Sequence, residues 1–406
     1  MSPLSRWPED DGLLRRLRRY RRESNPDMIA YLKLLQQSTS RRPSSPASWN
    51  ERDIRSVYPD ITDDDVAELA KFMAELNSSL RPPTEYEGPH HLKVQVRAAQ
   101  LDEVVTTHGP WQDFAEPPLF ALWDAGRINA QTSRAPTTGE PIVFIDEELL
   151  HFLSLFSCVV ALAAPVGRPV SNGILFSTDM AEVRAKLKRD ESMKIILYAV
   201  LLGCVMTGRT PREKLSAPDQ YTSMLTGKLV SAAETFVLAH EYAHVLEKHL
   251  DDGMSDITGT DGQRVSQSLW SLAQEGIADR VGLFLAAWTL GDQLTTYWGA
   301  ELFLCANEAL LKAIAMVRSG RENGLREDER HQLATLRFRR DALEWSVRDR
   351  LEKASNGKAG SEGEWARVGA QMHFARDIIQ ELWQHTAPLL RDAHERGARP
   401  DPMWEL

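Results

Sequence analysis

What the chain has little of narrows it first. Three cysteines, Cys158, Cys204 and Cys305, are too few and too scattered for a disulfide framework or a cysteine-type zinc site, and they suggest a reducing, intracellular compartment. Basic residues do not dominate. Against 58 Asp and Glu stand 48 Lys and Arg, a formal net charge of -10, which argues against broad nucleic-acid binding. No signal-peptide pattern opens the chain, because Leu13 and Leu14 are followed by arginines and no apolar core of the right length comes after them. Long hydrophobic runs are missing too. The two most apolar stretches, 149–164 and 195–206, fall short of the roughly 18–20 residues a membrane span needs, so buried helices are expected there. No repeat period and no long low-complexity tract occurs. The location these absences favour is the cytoplasm.

What is present is a globular composition, with 42% hydrophobic and 26% charged residues in 406. Near the start, Arg15, Arg16, Arg18, Arg19, Arg21 and Arg22 crowd one expected helix. Such a helix suits acidic parts of the same chain or an anionic partner, RNA or a membrane surface. A Ser/Pro/Arg-rich linker at 36–50 precedes a helical period over 54–80. Residues 91–105 are ambiguous between strand and helix. Runs at 126–131 and 141–145, joined by the Pro136-Thr137-Thr138-Gly139 turn, read as a connected strand pair. Asp146 then resembles a helix N-cap, with Glu147 and Glu148 in the first turn. Helices are expected at about 222–250, 266–290, 298–317, 326–353 and 365–396, with loops at 207–220 and 251–263. The expected organisation is a helical N-terminal extension (1–115), a central domain (116–350), and a linker with a C-terminal amphipathic helix (351–406). The expected fold class is α+β, mainly helical.

The stretch with chemistry in it is His240-Glu241-Tyr242-Ala243-His244, of the form H-E-x-x-H. Two histidines four apart project from one helix face and can reach one metal ion, and the glutamate between them can take a proton from a bound water. Leu225, Leu229, Ala232, Phe236 and Val237 form an apolar stripe that both histidines continue, so the imidazoles should face inward. The competing reading is a pair of core histidines bonded to backbone carbonyls. A zinc site needs a third protein ligand. A histidine six residues on is ruled out, since Leu250 stands there and His249 is one residue off. Asp256 or Asp261 of the following loop is a second candidate. Glu275 is a third, and Asp279, four residues later on the same face, could fix a ligand histidine's tautomer.

His240-Glu241-x-x-His244 followed by Glu275-x-x-Ala278-Asp279 resembles the gluzincin metallopeptidases. It is most similar to the HtpX-like branch and to bacterial cytosolic proteases of the Lit type. The resemblance covers roughly residues 120–345. It implies a zincin-like domain with a small sheet beside the active-site helix and a zinc ion (Zn²⁺) held by His240, His244 and Glu275. In that reading Glu241 is the catalytic base and Asp279 orients a ligand. It also implies that Asn129 and Ala130 begin an edge strand that pairs with a peptide substrate. His331, six residues before Arg337, would help to stabilise the oxyanion, although Gln332 replaces the proline usual there; the competing reading is a solvent-facing histidine in a charged helix. The activity implied is cleavage of an intracellular protein, in stress or phage defence. The rival is a regulatory or interaction protein on a retired peptidase fold. The chain departs from the branch's membrane members in lacking clear spans.

Overall fold

The computed structural model describes residues 63, 64, 66, 67, 71, 90–111, 117–123, 128–135, 138–165, 168–170, 173–175, 177–212, 219–250, 261–354 and 362–404. The arginine-rich stretch, the linker at 36–50 and nearly all of 54–80 lie outside them, as do residues 251–260. The architecture is mainly helical with a small three-stranded sheet. It divides into two compact units, Met1–Glu147 and Glu148–Leu406.

In the first unit, helix α1 (His91–Thr107) resolves the ambiguity of 91–105. Val94, Ala98, Leu101 and Val105 are all buried at helical spacing, and the Val94/Val96 alternation is incidental. Gln95 Nε2 donates to the carbonyl of Phe120 at 2.9 Å, tying α1 to strand β1 (Leu119–Trp123). Strands β2 (Ala130–Arg134) and β3 (Pro141–Asp146) form the expected pair, antiparallel, with Ala130 opposite Ile145. The first strand starts later than its expected bounds of 126–131. β3 is central, parallel to β1 on its other side. Both faces of β1 and β3 are buried, as their unbroken apolar runs require. Asp146 ends β3, and its backbone N–H donates to Asn129 O at 3.0 Å.

The chain passes directly into α2 (Glu147–Ala163) and then makes a two-stranded antiparallel pair, β4 (Arg168–Val170) and β5 (Gly173–Leu175). Helices α3 (Met180–Arg189), α4 (Ser192–Thr207), α5 (Gln220–Leu246), α6 (Asp261–Leu290), α7 (Gln293–Ser319), α8 (Glu327–Ala354) and α9 (Glu362–Glu395) complete the second unit. Their ends follow caps. Asp219 accepts from Thr222 N to start α5, and Asp292 accepts from Thr295 N to start α7 five residues earlier than expected. Gly320, at φ 69, ends α7 in the left-handed region. Helix α5 packs on α6 and α7, and α7 packs on α9. The contacts are close: a Cβ at Gly282 of α6 would lie 2.8 Å from His240 Cα, and one at Gly299 of α7 would lie 2.4 Å from the carbonyl carbon of Ala232. No helix among the described residues is long and apolar enough to cross a membrane.

Candidate metal centre

Helix α5 buries nearly every side chain of its C-terminal half, so His240 and Glu241 are drawn inside by the apolar stripe around them. His240 Nε2 and His244 Nε2 lie 3.2 Å apart. From α6, Glu275 brings Oε2 to 3.4 Å from His240 Nε2 and Oε1 to 3.6 Å from His244 Nε2. These three residues could hold a metal ion. Exposure rises from 1% at the Asp279 side chain to 27% at that of Glu275, so the group opens to solvent on the Glu275 side and is sealed behind.

The outer nitrogens of both histidines have close polar neighbours. Asp279 Oδ1 lies 2.9 Å from His240 Nδ1, near in distance but poorly aligned for a hydrogen bond. His244 Nδ1 lies 2.9 Å from His249 Nδ1. The second contact depends on the end of α5. The helix stops at Leu246, Lys248 takes a left-handed backbone (φ 57), and His249 turns back to donate its N–H to His244 O at 3.0 Å.

Arg339 of α8 completes the group. Its Nε and Nη2 donate to the two oxygens of Asp279, each at 2.7 Å, and its Nη1 reaches Glu275 Oε2 at 2.8 Å. Its Nη2 also lies 3.5 Å from His240 Nε2. Burial and the Arg339 cation both push the His240 pKa down, but Asp279 and Glu275 outweigh them and lift it to about 9. Burial and the neighbouring His240 push His244 down to about 3. Burial would raise Glu275 and Asp279. Their cationic neighbours prevail and hold both below the usual carboxylate range. Burial likewise opposes the Arg339 charge, and the carboxylates of Asp279, Glu275 and Glu241 overcome it. The group is a closely balanced set of charges, with opposite shifts on the two histidines.

Of the residues singled out from sequence, His240, Glu241, His244, Glu275 and Asp279 come together here. His331 does not. It is exposed on α8, two turns before Arg339 and about 12 Å away along the axis. Arg337 is half-exposed and pairs with Glu308. The turn of α8 that faces α6 presents Arg339 instead, which corrects the His331–Arg337 expectation. Asp256 lies outside the described residues, and Asp261 opens α6. Asn129 is exposed just before β2 and Ala130 begins it, in the first unit. Two members of the group, Arg339 and His249, lie outside both motif spacings. Arg339 had a signal, standing three residues after Leu336 and four before Leu343 on an apolar stripe. His249 had none, because a left-handed residue brings it back. No protein-family model matches the chain, and neither a curated protein nor a solved structure matches it significantly.

Proposed function

We propose that the protein is a zinc-dependent peptidase of zincin type that hydrolyses peptide bonds in protein substrates. The observation that carries this is the spacing of the ligand atoms, 3.2, 3.4 and 3.6 Å. Four-coordinate zinc with bonds of about 2.1 Å sets its ligands about 3.4 Å apart. Two imidazoles and one carboxylate also match a hydrolytic zinc site that keeps a position open. Zinc, when bound, would supply a Lewis acid and a more acidic water. His240, His244 and Glu275 would hold it, with His249 on the outer nitrogen of His244 and the Asp279 carboxylate beside that of His240. Glu241, buried beside His240 and coupled electrostatically to Arg339, takes the proton of the attacking water and returns it to the leaving amine. The substrate class, an intracellular protein cut in stress or phage defence, rests on the family resemblance alone.

A second reading has an observation of its own. Arg339 places one guanidinium nitrogen 2.8 Å from a Glu275 oxygen and another 3.5 Å from His240 Nε2. A cation so placed competes with a dication for the same atoms, as in a peptidase fold retired to binding a partner. Metal analysis separates the two. Zinc should accompany purified wild type and Glu241→Gln but not His244→Ala, and peptide cleavage should vanish in Glu241→Gln. Cleavage by Glu241→Gln at the wild-type rate would sink the mechanism, and wild type without zinc would favour the retired site.

A further inference from the structure

Away from the metal centre, charge is unevenly spread where α7, α8 and α9 meet. A cavity of about 440 Å³ there is lined by Lys312, Arg337, Arg340 and Trp383, with Glu308 as the one carboxylate in its wall. An adjoining cavity of about 520 Å³ shares Lys312 and Arg337 and adds Arg321 and Arg391, with Glu322 as its one carboxylate. The two form a groove of five cations against two carboxylates, in a chain whose formal net charge is -10.

Glu308 shows how closely the cations converge. Its Oε1 accepts from Lys312 Nζ and from Arg337 Nη2, each at 3.0 Å, and its Oε2 accepts from Arg340 Nη1 at 3.0 Å. Lys312 also reaches Glu322 Oε1 at 3.0 Å, so the two carboxylates are shared among the groove's five cations and leave a surplus of three. Arg337 is half-exposed, so its guanidinium meets solvent while it pairs with Glu308. Among the residues lining the groove, the buried polar atoms without a hydrogen-bond partner are Arg340 Nε and Trp383 Nε1. Both are donors, so the wall is short of acceptors as well as of negative charge.

We propose that this groove binds a small ligand bearing two or more linked phosphate groups. Cations strung along two joined cavities suit several charges in a row better than one. Arginine forks match phosphate oxygens two at a time. Each cavity is of the size that small-molecule sites occupy. The inference does not depend on the peptidase reading, because Arg339 faces the metal centre while Arg337 and Arg340 of the same helix face the groove.

The test is titration calorimetry on the full chain, with inorganic tripolyphosphate and, separately, adenosine triphosphate, neither with added metal. Both should bind saturably and more weakly as salt rises. The double variant Lys312→Gln/Arg337→Gln should lose about tenfold or more in affinity. Glu308→Gln should bind more tightly than wild type, because the competing carboxylate is gone. His244→Ala should bind as wild type does, which separates the groove from phosphate held at the metal centre. Equal affinity for the two probes assigns recognition to the phosphate chain, and tighter nucleotide binding adds the base. Absence of saturable binding overturns the proposal, as does binding that Glu308→Gln fails to strengthen.

Discussion

Arg339 is buried with both Asp279 oxygens on its guanidinium, and this geometry sets what its removal costs. An exposed pair contributes at most about 1 kcal/mol, whereas stripping one partner from a buried pair costs about 3–5 kcal/mol. The Glu275 contact is partly open to solvent and adds less, so the Asp279 side dominates. Arg339→Gln should therefore lower the unfolding free energy of the metal-free protein by about 3 kcal/mol. Zinc should restore part of the loss, since it supplies positive charge beside Glu275 and His240. Urea unfolding with chelator and with zinc measures both, and a loss under about 1 kcal/mol in chelator would place the pair in the surface class. The same residue marks the limit of what sequence reveals. His240 with His244, and Glu275 with Asp279, are legible because each pair sits on one helix, where a spacing of four fixes a common face. Which turn of α8 meets α6 is decided by packing between helices far apart in the chain. A spacing of six therefore pointed to His331 and Arg337, when the side chain that arrives is Arg339.

At the scale of elements, the metal centre exists because α6 lies close enough to α5 for Glu275 to reach both histidines. Gly282 allows this approach, as a Cβ there would stand 2.8 Å from both Cα and N of His240, atoms of backbone that cannot swing aside. Gly282→Ala should destabilise the fold by about 1–3 kcal/mol through overpacking. It should also weaken zinc binding about tenfold by spreading the ligand atoms, as read by competition with a chromophoric chelator. Gly276→Ala on the same helix is the control. Its Cβ meets nothing within 4 Å, so better helix propensity should leave stability equal or up to about 1 kcal/mol higher. Equal effects of the two would deny Gly282 its role. Helices with a 3.6-residue apolar period were legible throughout this region, and their ends were set by caps such as Asp292. Strand β1 was not legible. Its five residues are all apolar and its parallel partner β3 lies about twenty residues away, so neither alternation nor a local turn announces it. The β4–β5 pair was not legible either, since strands of three residues are too short to show an alternation.

Across the whole molecule, the sequence bounded the composition class and the mainly helical fold, but not how the C-terminal helix is used. Helix α9 packs against α7 and α4, with Met372, Ile379 and Leu382 buried, and the tail beyond it returns to α4, where Trp404 Nε1 donates to Cys204 O at 3.2 Å. Glu301 of α7 is sealed in by this arrangement. Tyr297 OH donates to its Oε1 at 2.9 Å, Cys305 lies beside it on α7, Arg340 and Glu344 face it from α8, and Arg376 of α9 stands 3.9 Å from its Oε2. Burial raises its pKa from 4.5 to about 7, more than Arg376, Tyr297 and Arg340 lower it. The sign follows. With a folded-state pKa above the unfolded value, the native state holds the proton more tightly, so this contribution is fully present below about pH 4.5 and is lost as pH rises through about 7. Glu301→Gln keeps the shape and cannot ionise. The unfolding free energy of wild type relative to Glu301→Gln should thus fall by roughly 3 kcal/mol between pH 4.5 and pH 7 and level off above. Denaturant unfolding of both proteins across that range measures it. A difference that stays flat would mean that Arg376 and Arg340 neutralise the carboxylate in place, and that the junction of α7, α8 and α9 holds an ion pair rather than a protonated acid.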